Sequence, residues 1–469
     1  MTRTPSTAST PSSPSTRSRT RSAPHRTQPA PAAANGAAAG AFRAKVRMYR
    51  QGLGDCLLIT LPRGDGSNYF ILVDCGVLQG TANASAVMAK VVADIARTTN
   101  GKIDLLLATH QHWDHLSGFV QAGDAWKQLS VGQVWLAWTE DPHDDLARKL
   151  AGERAEALAG LRLGANRFRL AGDDENAAAV GSLLEFFGVA GGGTVQDALE
   201  VVRSLAAPGA APRYCRPQDA PVELGDPPVR LYVLGPPRDE KLIKMTLPST
   251  RNPETYGLVA NAFSENVAPS LQAAAPEAPF SALYTIPDQV AQKIPFFKPY
   301  WATEAWRRID TAWLAATSDF ALQLDSATNN TSLVLAIELA GGDVLLFAGD
   351  AQVGNWLSWQ DLAWTVDGRT VTGPDLLRRT IFYKVGHHGS HNATLQEKGL
   401  ELMGTLQMAM IPVFRDMALQ RHWGGMPQPK LVEALKEKTN GAVLQADTDP
   451  PAGLPAHVVT DPLYLEVVL

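Results

Sequence analysis

The sequence contains few cysteines and no long apolar run. Its 469 residues include three cysteines, Cys56, Cys75 and Cys215, which are too widely spaced for a disulfide framework or a Cys-x-x-Cys zinc knuckle. No segment reaches the roughly 20 consecutive apolar residues that a membrane span requires. The apolar core of a signal peptide is also missing. We therefore expect a soluble, cytoplasmic protein that makes no membrane contact and whose cysteines are buried thiols.

The first part of the chain lacks acidic and aromatic residues. Residues 1–40 contain five arginines but no Asp or Glu, and the first aromatic residue is Phe42. A segment dominated by Ser, Thr, Pro and Ala cannot bury enough apolar surface to offset the entropy of ordering it. We predict a disordered low-complexity tail over residues 1–42, in preference to an organelle transit peptide, and a folded domain over 43–469. That domain carries a net charge of about −10, which gives it no general attraction to nucleic acid.

Short apolar runs separated by Gly, Asp and Pro predict strands in two blocks, with helical patterns between about 144 and 206. Two blocks of strands, each with helices, favour an α/β sandwich over a doubly wound sheet. Residues about 238–325 have no place in a minimal sandwich, so we interpret them as an insertion near the mouth of the site. A helix is predicted at 430–438, and the predicted strands are 45–49, 56–61, 69–73, 103–108, 229–234, 332–337, 344–348, 381–385, 442–444 and 463–468.

Three of the ten histidines lie within six residues, around an aspartate. The predicted buried strand at 103–108 leads into the pattern His-x-His-x-Asp-His. Because side chains of an extended segment repeat every two residues, His110 and His112 can face one metal ion, and Asp114 and His115 can serve a second. Imidazole and carboxylate are ligands that zinc, manganese and iron accept. The segment therefore predicts a metal site.

Three further predicted strands end in possible ligands, namely Asp74, Asp350 and the pair His387 and His388. Open α/β sheets gather their sites at the carboxyl ends of strands, so these residues are expected to join the same site. His387 is favoured as the terminal ligand because it comes first after the strand, with His388 contacting the substrate or a ligand carboxylate. The bend at Gly386 leaves the reverse assignment open.

The pattern His-x-His-x-Asp-His resembles the signature of the metallo-β-lactamase superfamily, and the resemblance extends over nearly all of 43–469. Asp350 and either His387 or His388 match the family's late aspartate and final histidine. The resemblance implies a metallo-β-lactamase-like αββα sandwich that binds two divalent metal ions, zinc before manganese or iron. Several segments are similar to the hydrolase domain of competence (DNA-uptake) proteins: Gly52-Leu53-Gly54-Asp55, residues 329–335, Phe347-Ala348-Gly349-Asp350, and residues 384–390.

One position of the superfamily pattern has no match. The usual third ligand of the first metal is a histidine, whereas the corresponding strand end here reads Leu234-Gly235-Pro236. The only histidine between the signature and Asp350 is His143, which lies in a polar loop where an exposed side chain is expected. The first metal is therefore expected to be weakly held or completed by water.

The resemblance also implies roles for individual residues in a reaction driven by a hydroxide that bridges the two metals. Asp114 would be a ligand and a proton shuttle to the leaving group, and Asp74 would orient a ligand histidine or the water. Lys384 is expected to point away from the site. Small donors near the same edge could bind a phosphate oxygen or equally serve as strand-end hydrogen bonds, and these are Asn330, Ser332 and Ser390.

Three functions remain open on this evidence. The first is hydrolysis of a phosphodiester in nucleic acid or a nucleotide, which the competence-like segments favour and the acidic body disfavours. The second is hydrolysis of a small amide, lactone or thioester, although the missing histidine disfavours an antibiotic-destroying lactamase. The third is a binding protein that keeps the fold without the chemistry. The sequence does not predict an oligomeric state.

Overall fold

The computed structural model describes residues 42–170, 174–188, 193–248, 254–255, 288–291, 293–299, 315–421, 423, 425–451, 453–454 and 458–469. The predicted tail lies outside these residues except for Phe42. Much of the predicted insertion also lies outside them. Within the described chain, no helix has both the length and the apolar character needed to cross a membrane.

The first sheet is mixed. It begins with the meander that the sequence predicts, because its first three strands pair antiparallel in chain order. The next strands continue in parallel, and the full order is β16-β17-β1-β2-β3-β4-β5-β6. These strands are β1 (Lys45–Tyr49), β2 (Leu57–Pro62), β3 (Asn68–Val73), β4 (Lys102–Ala108), β5 (Ser130–Ala137), β6 (Arg213–Cys215), β16 (Val458–Thr460) and β17 (Tyr464–Val468).

The second sheet is also mixed, with the order β15-β14-β13-β10-β9-β8-β7. Its strands are β7 (Val222–Glu223), β8 (Arg230–Gly235), β9 (Val334–Glu338), β10 (Val344–Phe347), β13 (Thr380–Lys384), β14 (Met408–Ile411) and β15 (Val443–Gln445). A separate hairpin consists of β11 (Ala363–Val366) and β12 (Arg369–Thr372).

The described helices lie between and after these strands. In chain order they are α1 (Ala84–Thr99), α2 (Trp113–Gln121), α3 (Asp145–Leu170), α4 (Asp174–Leu184), α5 (Val195–Ser204), α6 (Glu240–Ile243), α7 (Asp288–Ala291), α8 (Ala315–Asn329), α9 (Val353–Ser358), α10 (Gly373–Arg378), α11 (Arg415–Gln420) and α12 (Pro429–Lys438).

Three apolar clusters define the layers. Between the two sheets, side chains such as Ile71 and Leu105 from the first pack with Leu345 and Phe382 from the second. The face of the first sheet that points away from the second sheet packs against α1, α2 and α5. The face of the second sheet that points away from the first sheet packs against α9, α10 and α12. Each sheet thus buries both faces, which gives the layer order αββα and confirms the predicted fold class.

Most predicted strands are confirmed to within one or two residues at each end, and the helical region at 144–206 contains α3, α4 and α5. The apolar patterns of the sequence do not predict α1, β5 or β14. Gly132 and Gln133 interrupt the apolar pattern of β5, and β14 is only four residues long. The predicted insertion does not end cleanly at residue 325, because that residue lies inside α8.

Candidate metal centre

The strand ends of both sheets converge on one group of buried polar side chains. Asp74 follows β3, and His110 follows β4, which is parallel to β3. In the second sheet Asp350 follows β10, and His388 follows the parallel strand β13. Parallel neighbours end at the same edge of a sheet, which explains why residues far apart in the chain meet here. All four side chains are almost completely buried.

Two histidines and two aspartates form a compact cluster. One ligand atom each from Asp55, His115, Asp350 and His388 lies within 4.8 Å of the others. His115 Nε2 lies 3.1 Å from Asp350 Oδ2. His388 Nε2 lies 3.7 Å from the same oxygen and 3.0 Å from Asp114 Oδ2. We call these five residues, with Asp114 included, the histidine–carboxylate cluster.

In His115 and His388, the hydrogen-bond partner of the outer nitrogen, Nδ1, determines which ring nitrogen carries the hydrogen. His388 Nδ1 is 2.7 Å from Pro412 O, which can only accept, so Nδ1 carries the hydrogen. His115 Nδ1 is 2.7 Å from the carboxylate of Asp74 and donates to it in the same way. When each ring is neutral, as a metal ligand must be, its Nε2 lone pair faces carboxylate oxygens. A nitrogen lone pair and a carboxylate oxygen that face each other both need a cation between them. The cluster therefore fits a divalent metal ion.

The electrostatics of the cluster point the same way. Burial acts to lower the pKa of His115, but Asp350 and Asp55 outweigh it and hold this pKa well above the usual value. The pKa of His388 is raised by Asp350 and Asp114 against the same effect of burial. Burial acts to raise the pKa of Asp350, yet the neighbouring His115 and Lys384 hold it well below the usual range. The cluster thus favours positive charge at its centre.

His110 and His112 form a second pair of facing nitrogens. His110 Nε2 lies 3.0 Å from His112 Nδ1. His110 Nδ1 lies 3.0 Å from Thr109 Oγ1, whose hydroxyl donates to Asp74, so that Nδ1 carries the ring hydrogen and Nε2 keeps its lone pair. Burial lowers the pKa of His110 well below its usual value and lowers the pKa of His112 to about 3. Both rings are therefore neutral, as metal ligands must be.

Asp74 lies behind the histidines. Its carboxylate accepts from the Thr109 backbone N at 2.8 Å, the Thr109 hydroxyl at 2.7 Å and His115 Nδ1 at 2.7 Å. An orienting role of Asp74 requires contacts of this kind, and that role stays a prediction. The residue adopts a left-handed backbone with φ of 56°, which is unfavourable for a residue with a side chain and is maintained by these contacts.

The structure places His388, rather than the preferred His387, against Asp114 and Asp350. Strand alternation does not reach the pair, because β13 ends at Lys384 and both histidines have positive φ, 43° and 51°. The His387 ring instead contacts neutral side chains, with Ser390 Oγ at 3.0 Å, Gln352 Nε2 at 3.2 Å and Asn329 Nδ2 at 3.3 Å.

The three predicted substrate donors lie near the centre, but their polar atoms are used within the protein. Asn330 Nδ2 donates to Met245 O at 2.7 Å, and its Oδ1 accepts from Gln352 N at 3.0 Å. Ser332 Oγ accepts from Asp350 N at 3.0 Å, and Ser390 Oγ donates to Asn392 at 2.7 Å. These contacts are the internal hydrogen bonds that the sequence offers as the alternative, and the substrate-binding role stays a prediction.

The prediction that Lys384 points away from the site is wrong. Its ammonium forms an ion pair with Asp55, donates to Gly349 O at 2.8 Å and lies 3.4 Å from Asp350 Oδ1. The side chain is fully buried. Burial acts to lower the pKa of Lys384, but Asp55 and Asp350 raise it, so the lysine stays charged. The available signal was a lysine within an apolar strand, which is rare unless it is paired.

The position of the missing third histidine has no substitute on the same strand. A side chain at Gly235 would collide with Asn355, and Pro236 O accepts from Trp138 Nε1 at 2.9 Å. His143 is exposed, as expected. Next to His112 the structure instead places Asp325, whose Oδ1 lies 3.7 Å from His112 Nε2. The sequence analysis did not identify Asp325 as a site residue.

Comparison with known proteins supports the general class. Residues 49–193 match the family model of the metallo-beta-lactamase superfamily. The matched segment includes the signature histidines, Asp114, Asp55 and Asp74, while Asp350 and His388 lie beyond it. No curated protein and no solved structure matches the chain. The family match and the buried histidine–carboxylate cluster together support a metal-dependent hydrolase in general terms.

Proposed function

We propose that this protein is a hydrolase that binds two divalent metal ions, zinc before manganese or iron, and cleaves a phosphodiester in nucleic acid or a nucleotide. The observation that carries the proposal is the direction of the histidine lone pairs. The Nδ1 atoms of His115 and His388 each donate a hydrogen bond to a fixed acceptor. Their Nε2 atoms face Asp114 and Asp350. His110 and His112 present a second pair of nitrogens 3.0 Å apart.

The charge of the centre supports two ions rather than one. Five buried aspartates lie in or beside it, and the lysine in contact with them is Lys384. With neutral histidines and ionised aspartates, four negative charges remain, which two divalent ions balance. The aspartates are Asp55, Asp74, Asp114, Asp325 and Asp350.

When bound, two such ions would lower the pKa of water to about 7 and stabilise the developing oxyanion. The protein positions the groups around them. Asp350 aims Oδ2 at both His115 and His388, while its Oδ1 accepts from His387 N at 3.0 Å. Asp114 Oδ1 makes no hydrogen bond within the described residues, so it is free to pass a proton to the leaving group.

The phosphodiester class is supported by the competence-like segments, which all meet at the centre. The loop Gly52-Leu53-Gly54-Asp55 contacts the His-x-His-x-Asp-His segment directly. Asp55 N donates a hydrogen bond to Asp114 O at 3.0 Å. A side chain at Gly54 would lie 2.5 Å from the same oxygen, which explains the glycine. The segments 347–350 and 384–390 contribute Asp350, Lys384 and His388.

The test combines metal analysis of the purified protein with a panel of bis-p-nitrophenyl phosphate, a thioester and a cephalosporin. We expect two ions per chain and turnover of the phosphodiester alone. Turnover of only the thioester or the cephalosporin would refute the substrate class. Bound metal without any turnover would indicate a binding protein that keeps the fold.

His112→Ala and Asp350→Ala test the ligand assignment within the same assays. Each should lose metal and turnover while the circular dichroism spectrum stays unchanged, because these side chains follow strand ends and add little to the core. His143→Ala is the matched control, since that histidine is exposed. Full metal stoichiometry and turnover in either site variant would contradict the assignment.

A further inference from the structure

The outer nitrogen of His112 differs from those of the other histidines that face the proposed ions. His110, His115 and His388 have theirs held by Thr109 Oγ1, Asp74 Oδ2 and Pro412 O. His112 Nε2 is buried and has no hydrogen-bond partner within the described residues. A buried polar atom without a partner is unfavourable and calls for an explanation.

A second unpartnered atom faces it. Asp325 Oδ1 lies 3.7 Å from His112 Nε2 and also lacks a hydrogen bond among the described atoms. Asp325 is only 6% exposed, and its other oxygen accepts from Asn329 Nδ2 at 3.2 Å, one turn along α8. The remaining ring neighbours of His112 are Phe186 and Phe187, with centroids at 5.3 Å and 5.0 Å, which offer no acceptor.

The helix that carries Asp325 is held firmly in place. Ala321, one turn earlier on α8, is fully buried and packs in an apolar cluster with Leu161 and Phe168 of α3 and Val180 of α4. The carboxylate is thus brought to the centre by a helix from the end of the predicted insertion. A buried carboxylate with one hydrogen bond is costly unless a further partner is present.

The position of the His112 proton explains the missing contact. Without an ion, Nδ1 can donate to His110 Nε2, which leaves a lone pair on Nε2 beside a carboxylate. For His110 Nε2 and His112 Nδ1 to hold one ion, Nδ1 needs its lone pair, and the hydrogen must lie on Nε2. That hydrogen then needs an acceptor, and Asp325 Oδ1 is the one that faces it.

We propose that Asp325 is the positioning residue of His112, accepting a hydrogen bond from Nε2 and thereby strengthening the first metal site, from which the usual third histidine is absent. This inference rests on the proposed function, because it presumes a metal at His110 and His112. Partners of this kind fix the ring orientation and raise the basicity of a ligand histidine, and their loss typically costs 10- to 100-fold in metal affinity.

The test is a competition titration of metal against a chromophoric chelator. Asp325→Leu removes the acceptor, Asp325→Asn keeps one carbonyl oxygen, and Leu322→Ala, at a residue 51% exposed on the same helix, is the control. We expect the affinity for one of two ions to fall about 10- to 100-fold in Asp325→Leu and less in Asp325→Asn. The other ion and the control should match the unmodified protein.

A double variant separates positioning from packing. In a His112→Asn background, which keeps a ligand atom near the position of Nδ1 but lacks Nε2, Asp325→Leu should cause no further loss of metal affinity, because the residue acts through the removed ring nitrogen. An additional loss there, equal loss of both ions, or unchanged affinity in both single variants at Asp325 would overturn the inference. If the unmodified protein binds no metal, the proposed function fails with it. If metal behaves as expected but no substrate turns over, the proposed function fails alone.

Discussion

Two consecutive histidines, His387 and His388, have different surroundings although both lie near Asp350; His388 is buried and His387 is partly buried. His388 Nε2 faces Asp114, whereas the His387 ring lies among Asn329, Gln352 and Ser390. Burial lowers the pKa of His387 to about 4, while nearby carboxylates raise that of His388. Burial by itself lowers the pKa of both histidines, so the charge of the neighbouring groups decides the direction in which each pKa shifts.

This difference gives a prediction for single variants. His388→Ala should remove the ion proposed for the histidine–carboxylate cluster, because it removes one of the lone pairs directed at Asp114 and Asp350. His387→Ala should retain that ion. Plasma emission spectrometry of the purified variants gives the metal content, and hydrolysis of the panel substrates gives the rate. Loss of that ion from His387→Ala but not from His388→Ala would reverse the assignment.

Lys384 gives a second prediction at this scale. Removing one partner of a buried ion pair leaves an uncompensated charge, which costs about 3–5 kcal/mol. Lys384→Met should therefore lower the free energy of unfolding of the metal-free protein by that amount, as measured in urea, because Asp55 and Asp350 lose their cation. Lys102→Met is the control, since the Lys102 side chain is 62% exposed and its pair with Asp104 contributes little. Equal effects of the two substitutions would contradict the buried-pair interpretation.

At the scale of elements, Asn330 connects pieces of chain that are not consecutive. Its amide donates to the carbonyls of Ile243 and Met245 at the end of α6, and its Oδ1 accepts from Gln352 and Asn355 at the start of α9. It lies between α8 and β9. One side chain therefore fixes the turn that carries Asp350, since α9 begins three residues later.

Asn330→Ala tests whether this residue serves structure or substrate. Several buried backbone groups would lose their partners, each at a cost of about 1–3 kcal/mol, so a loss of at least about 2 kcal/mol in unfolding free energy is expected. The KM for a turned-over substrate should stay unchanged. The exposed Asn166→Ala is the control. A higher KM of Asn330→Ala with an unchanged free energy of unfolding would support the substrate-binding role.

At the scale of the whole molecule, the two sheets meet at a buried centre with an excess of carboxylates. Metal binding to the folded state alone stabilises it by mass action, by about 2.7 kcal/mol at a hundredfold excess over Kd. Chelation followed by dialysis should lower the melting temperature, and adding zinc should restore it. Calorimetry measures both changes. A melting temperature that is independent of metal would argue against ions bridging the strand ends.

Short-range patterns in the sequence determined the strands, the signature and the fold class. Apolar periodicity depends on burial within one strand or helix, and the proposed ligands His110, His112, Asp114 and His115 lie within six residues. Both patterns can therefore be recognised without a structure. The strands that were not predicted are short or interrupted, such as β5 and β14, and their burial depends on their neighbours. The helix α1 was also not predicted.

Only the tertiary structure decided how distant side chains meet. The contact between His112 and Asp325, the pair of Lys384 with Asp55, and the choice of His388 all join residues more than 200 positions apart. Their geometry depends on the packing of α8 and on left-handed residues after β13, where strand alternation no longer applies. Local pattern can place a polar residue at a strand end, but it cannot determine which partner that residue faces, because the packing of one sheet on the other decides this.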